Sequence, residues 1–129
     1  MTPTRVLIVD DVADVRKELA LVLSLSGDIL VLGAAADGLE AIRQAGVLQP
    51  EVILMDLEMP GIDGCEAARR IKMHQPDCRV IALTIHDTET SREQCAQAGM
   101  DGFITKGASL AALLQAIRSH GECEEGETR

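Results

Sequence analysis

A chain of 129 residues is long enough for one domain with a sizeable core and too short for two. Its formal net charge of −9 argues against unaided binding to nucleic acid or to an anionic membrane surface, and no apolar run approaches a membrane span. Hydrophobic residues make up 47%, ordinary for a globular protein, but Phe103 is the sole aromatic, so the core must be aliphatic.

The opening MTPTRVLIV lacks the charged start, long apolar run and cleavage site of a signal peptide. RVLIV (5–9) is the first of five short aliphatic runs and ends in the adjacent carboxylates Asp10 and Asp11. Val12, Val15, Leu19, Val22 and Leu23 then recur as one face of a first helix. ILVLGA (29–34) is the second run, and Leu39, Ile42 and Leu48 mark a second helix. EVILM (51–55) leads into Asp56 and LEMPGIDG, with a turn at Pro60-Gly61, before a third helix carrying Ile62, Cys65, Ala68 and Ile71.

RVIAL (79–83) ends at Thr84. The segment DTETSREQCAQA (87–98) predicts a fourth helix whose largest apolar side chain is Cys95. Little buried area means loose tethering, and Gly99 should end this helix in a left-handed cap. DGFIT (101–105) precedes Lys106, and Leu110, Leu113, Leu114 and Ile117 form a fifth helix. Residues 121–129, GECEEGETR, read as an acidic tail or the start of an interdomain linker after a domain of residues 1–120.

Strands separated by helices imply βα units, and runs that do not alternate suit strands covered on both faces. The expected fold is therefore a doubly wound α/β domain with a five-stranded parallel sheet and helices on both faces. Cys65, Cys78, Cys95 and Cys123 are far apart in the chain and form no CxxC pair, so reduced thiols in the cytosol are expected. His74, His86 and His120 lack metal-ligand spacing with each other or with the cysteines.

Ligands of open parallel sheets bind beyond the carboxyl ends of the strands. Asp10, Asp11, Asp56, Thr84 and Lys106 all fall there. Each has an ordinary reading: Asp10 or Asp11 as the cap of the first helix, Asp56 as a loop residue, Thr84 as a strand former, Lys106 as one of three lysines on the surface. Four strand ends in register favour a joint reading. Carboxylates held close together resist full ionisation, and a hard cation such as Mg²⁺, which prefers oxygen ligands, relieves the repulsion. A lysine ammonium suits a phosphoryl oxygen, a threonine hydroxyl can donate to another, and a free carboxylate can act as nucleophile. Asp56 is the best placed for that last role, alone at the end of the central strand.

The acidic pair in VDD, MDLEMPGIDG, ALT and FITK, in that order, make residues 4 to 120 resemble a response-regulator receiver domain of two-component signalling. The resemblance implies the flavodoxin-like strand order 2-1-3-4-5 and a cytoplasmic protein. It implies Asp56 as phosphoacceptor, Asp10, Asp11 and Asp56 with the backbone carbonyl of Glu58 as the Mg²⁺ site, Thr84 as conformational sensor, Lys106 as phosphate contact and Phe103 at the switch aromatic position. LTIHD, AGMDGFITKGAS and MDLEMPGIDG are closest to receivers of regulators with a LuxR-type helix-turn-helix output domain. No such DNA-binding domain is present in these residues, so the chain is read either as the N-terminal piece of a longer regulator or as a stand-alone receiver. The implied partners are a sensor histidine kinase and a second copy of the chain, docked through the fourth-helix to fifth-helix face.

Three residues depart from the family pattern: Gly107 stands where proline is common, Phe103 lacks the hydroxyl of a tyrosine, and Ile85 is larger than the usual alanine or glycine. Glu58 and His86, two residues beyond Asp56 and Thr84, flank the approach of a hydrolysing water and are expected to tune the lifetime of the phosphate. The function so read is a phosphorylation-dependent switch, not an enzyme in the turnover sense, whose helix 4/strand 5/helix 5 surface controls an output such as transcription. The alternatives are an unphosphorylated interaction module of the same shape and a phosphatase with an Asp nucleophile.

Overall fold

The computed structural model describes residues 2–119. The chain alternates strictly: β1 (Thr4–Val9), α1 (Ala13–Ser24), β2 (Ile29–Ala35), α2 (Gly38–Leu48), β3 (Val52–Asp56), α3 (Gly64–His74), β4 (Arg79–Thr84), α4 (Glu89–Gln97), β5 (Gly102–Thr105) and α5 (Leu110–Arg118). Every strand pairing is parallel, in the order β2-β1-β3-β4-β5. This is the doubly wound, flavodoxin-like sheet. The expected tail at 121–129 and the boundary at residue 120 lie outside the described residues, as do His120 and Cys123. No helix among the described residues is long and apolar enough to cross a membrane.

The central strands are aliphatic along their middles because both of their faces are covered. Leu7, Val9, Ile53 and Met55 point into one core with Ala41 and Ala45 of α2 and Ala67, Ala68 and Ile71 of α3. Val6, Ile8, Val52 and Leu54 point into the other with Leu23 of α1 and Leu113 and Ile117 of α5. The small residues of α2 and α3 let those helices approach the sheet closely, so four alanines stand where larger side chains would hold the helices away.

The helix faces read from sequence need adjustment at their ends. Val12 precedes α1 as its N-cap and is 48% exposed, and Leu39, in the first turn of α2, is 62% exposed. Leu110, at the start of α5, is also largely open to solvent, and Ile62 packs on the core from the loop before α3. Residues in first turns lie at the rim of the sheet, where the core no longer reaches them.

Helix α4 buries only Cys95 within its length. Its start is capped by the Thr88 hydroxyl, which accepts from the Ser91 N–H at 3.0 Å. Its end is a Schellman closure: Gly99 adopts φ +85°, Met100 N–H donates to the Cys95 carbonyl at 3.0 Å, and Gly99 N–H to the Ala96 carbonyl at 3.1 Å. Both ends of α4 are well fixed, while its body has little apolar area holding it to the sheet.

Candidate functional site

The strand order reverses between β1 and β3, and there the carboxyl ends of β1, β3, β4 and β5 open a crevice. Asp10 follows β1 and is completely buried; Asp56 ends β3 and is 1% exposed; Thr84 ends β4 and is completely buried. Asp11 is exposed at the mouth. Each of Asp10, Asp11 and Asp56 offers a carboxylate oxygen, all within 4.8 Å of one another.

Neither acidic residue of the pair caps α1. The Asp10 Oδ1 accepts from the Val12 N–H at 2.9 Å, which stiffens the loop, and α1 starts without a side-chain cap. The other four helices are each capped by a side chain, from Asp37, Asp63, Thr88 and Ser109. The ordinary reading of the Asp pair is thereby removed.

Lys106, in the turn after β5, reaches across the crevice. Its Nζ lies 2.8 Å from Asp10 Oδ2 and 3.3 Å from Asp56 Oδ1. The contact to Asp10 is a close ion pair without the alignment of a hydrogen bond, so the buried Oδ2 keeps unused acceptor capacity. Burial first, then the charge of Asp10, push the Asp56 carboxyl up from 3.8 to about 6, against the pull of Lys106. Burial works to lower the Lys106 ammonium, but its pairing with Asp10 and the charge of Asp56 outweigh it and raise the group. The arrangement stores negative charge that one ammonium only partly offsets.

The backbone around Asp56 is held tightly. Its Oδ1 accepts from the Glu58 N–H at 3.2 Å, and Gly64 N–H donates to the Leu57 carbonyl at 3.1 Å. A side chain at Gly64 would collide with the Asp56 carbonyl oxygen and come within 2.9 Å of the Leu57 Cα, so only glycine lets α3 start this close. The Thr84 hydroxyl accepts from the His86 N–H at 2.9 Å, and the Thr84 carbonyl accepts from the Lys106 N–H at 2.8 Å. Glu58 and His86 face each other across the rim, Oε2 to Nε2 at 3.5 Å. Ile85 is mostly solvent-exposed.

Phe103 lies on β5, half-buried, with the Arg92 guanidinium of α4 4.5 Å from its ring centroid. Arg92 is held in turn by Asp87, at 2.7 and 3.2 Å. Sequence reasoning missed Arg92 and also Arg16, whose Nη1 donates to the Asp10 carbonyl at 2.7 Å. Both are single arginines on helices, and nothing in their spacing marks them.

A doubly wound sheet with carboxylates, a hydroxyl and a lysine at its switch point defines an α/β domain with an acidic strand-end site. The response regulator receiver domain model matches residues 6–118, and the chain belongs to that family. It is 42% identical over 114 residues to the response regulator GacA of Pseudomonas viridiflava, covering 88% of this chain and 53% of that protein. It is 39% identical over 120 residues to the transcriptional regulatory protein LiaR of Bacillus subtilis, covering 93% and 57%. The chain thus spans about half the length of the curated relatives it matches.

Among solved structures, a LuxR-family two-component response regulator from Aurantimonas superposes with a TM-score of 0.87 at 31% identity, over 92% of this chain and 84% of that one. The response regulator domain of Thermotoga maritima CheB gives 0.85 at 37% identity, over 93% and 97%. CheY in a CheX–CheY–BeF3–Mg²⁺ complex from Borrelia burgdorferi gives 0.83 at 29%, over 92% and 89%. The chain is a two-component receiver domain whose relatives include transcriptional regulators.

Proposed function

We propose that Asp56 accepts a phosphoryl group from the phosphohistidine of a sensor histidine kinase. The observation that carries the reading is the convergence of three carboxylates within 4.8 Å at the ends of β1 and β3, with Lys106 bridging Asp10 and Asp56. An Asp56 carboxylate oxygen attacks phosphorus, the N–P bond breaks, and the histidine leaves with the bonding pair. Asp10, Asp11, Asp56 and the backbone carbonyl of Glu58 would hold Mg²⁺; the unused acceptor capacity of Asp10 Oδ2 and the raised Asp56 fit a hard cation. Such an ion, when bound, offsets the negative charge of the carboxylates and the incoming phosphoryl oxygens.

The residues of the chain do the rest. Lys106 turns from Asp56 to a phosphoryl oxygen. The Thr84 hydroxyl still has its own hydrogen to donate and swings toward another. Its movement frees space for Phe103, the Arg92 stacking is broken, and the weakly held α4 shifts with the β5 face. A ~100-fold change in the ratio of two conformers needs only about 2.7 kcal/mol of differential stabilisation. Glu58 and His86 sit where hydrolysing water must pass and set how long the phosphoryl group persists. The domain of residues 1–120 acts as a cytoplasmic switch without turnover, passing its signal through α4, β5 and α5 to a homodimer partner or, through 121–129, to a DNA-binding output domain.

The test is direct. Intact protein is weighed after incubation with Mg²⁺ and acetyl phosphate or phosphoramidate. One adduct of a single phosphoryl mass is expected, absent from Asp56→Asn and absent in EDTA. An unlabelled parent protein, or a labelled Asp56→Asn, overturns the assignment.

A further inference from the structure

The loop from β1 to α1 carries both acidic neighbours of Asp56, and its backbone is held at residue 10. The Asp10 N–H donates to the Ala35 carbonyl of β2 at 3.1 Å, and the Asp10 Oδ1 accepts from the Val12 N–H at 2.9 Å. These two bonds fix Asp10 itself. A third acts on its neighbour: Arg16 Nη1 donates to the Asp10 carbonyl at 2.7 Å. That oxygen belongs to the planar peptide joining Asp10 to Asp11, so holding it sets the direction in which Asp11 leaves the backbone. Among the described residues no hydrogen bond or ion pair holds the exposed Asp11 side chain. One of its carboxylate oxygens nevertheless lies within 4.8 Å of oxygens of Asp10 and Asp56, and the peptide plane is what directs it there.

The stability of α1 does not explain Arg16. It is the fourth residue of that helix, close to the positive end of the helix dipole, where a cation is unfavourable. Among the described residues it forms no ion pair, and its half-buried side chain folds back to a carbonyl instead. Helix α1 is also the one described helix without a side-chain cap, so Arg16 is the side chain that ties it to the loop before it. We propose that Arg16 is a positioning residue for the acidic site: by orienting the Asp10–Asp11 peptide it aims the Asp11 carboxylate at Asp10 and Asp56 and so sets the affinity for Mg²⁺. This rests on the reading of these carboxylates as a Mg²⁺ site. Arg16 acts only through Asp11. Without it the peptide turns freely, the Asp11 side chain swings into solvent, and fewer ligands remain for the ion. Loss of a partner that orients a ligand typically weakens metal binding by about 10–100-fold. Charge alone works the other way, since removing a cation beside three carboxylates should tighten the hold on Mg²⁺. The sign of the change therefore separates orientation from electrostatics.

Magnesium binding to the purified full chain, without a phosphodonor, is measured by titration calorimetry. Arg16→Met keeps an unbranched apolar stem and removes the donor; Arg16→Lys restores a donor at the tip. The expected result is Mg²⁺ binding weakened about tenfold in Arg16→Met and partly recovered in Arg16→Lys. Asp11→Ala weakens binding by itself, and adding Arg16→Met to it should cause no further loss, because the residue acted upon is gone. Arg16→Met that binds Mg²⁺ as well as the parent, or better, overturns the proposal. So does a second, equal loss in the Asp11→Ala background. Should Arg16→Met unfold too readily to titrate, Arg16→Lys and its double variant with Asp11→Ala carry the same comparison at smaller amplitude. A parent that takes up no Mg²⁺ overturns the metal reading instead. The hold on the loop is then decided by hydrogen exchange of the Val12 amide in EDTA: faster exchange in Arg16→Met supports it, and an unchanged rate overturns it.

Discussion

Replacing Asp56 by asparagine keeps the shape of the side chain and removes its charge. The carboxyl sits at about 6 in the folded protein against 3.8 as its ordinary value, a rise of about two pH units. A raised acid binds its proton more tightly when folded, so the parent loses stability as the pH climbs from about 4 through 6 and does not regain it above. At about 1.4 kcal/mol per unit the loss is roughly 3 kcal/mol at neutral pH. The attraction of Lys106 is already contained in that net shift, and Lys106 keeps Asp10 as a partner in the variant. Asp56→Asn should therefore match the parent near pH 4 and exceed it by about 3 kcal/mol at pH 7, on the order of 10 °C in Tm for a domain of this size. Urea melts of both proteins across that range, in EDTA, measure the gap directly. Saturating Mg²⁺ should then narrow it, by stabilising the parent more than the variant. A gap that does not change with pH, or a parent more stable than Asp56→Asn at pH 7, would refute the argument that charge repulsion is stored at the site.

Gly64→Ala must push α3 away from the Asp56 carbonyl, so it should cost at least 2 kcal/mol in a urea melt and slow acetyl phosphate labelling; a variant as stable as the parent would show that this approach is not tight. Arg92→Ala removes the cation over Phe103 and should cost about 0.5–1 kcal/mol, with α4 amides exchanging faster, while Arg92→Lys recovers part of both. The Arg118 guanidinium beside Asp28, with help from Ser26, holds the Asp28 carboxyl down at about 2. That pairing stabilises the fold above pH 4 and is lost as the pH falls toward 2; in Arg118→Ala an NMR titration should find Asp28 back near its ordinary 3.8.

Two features were legible without coordinates because they depend on local chemistry. The aliphatic runs at 5–9, 29–34, 51–55, 79–83 and 101–105 match the five strands to within a residue or two, since the middle of a strand covered on both faces favours apolar side chains and polar ones collect at its ends. The poverty of 87–98 in apolar residues likewise foretold an α4 that buries only Cys95, and Gly99 foretold its left-handed end. Helix starts were less legible. Val12, Leu39 and Leu110 fit the apolar period but lie at the rim, and period alone does not say where the sheet stops.

The sequence by itself settled the order of strands and helices and the list of chemical groups at the strand ends, because hydrophobic period and charge are properties of neighbouring residues. Only the tertiary structure decided which of those groups meet. Lys106 between Asp10 and Asp56, and Arg92 over Phe103, both join residues from different βα units. Such meetings follow from the packing of helices on both faces of an open sheet, and no spacing along a single chain encodes the distance between side chains that the packing brings together.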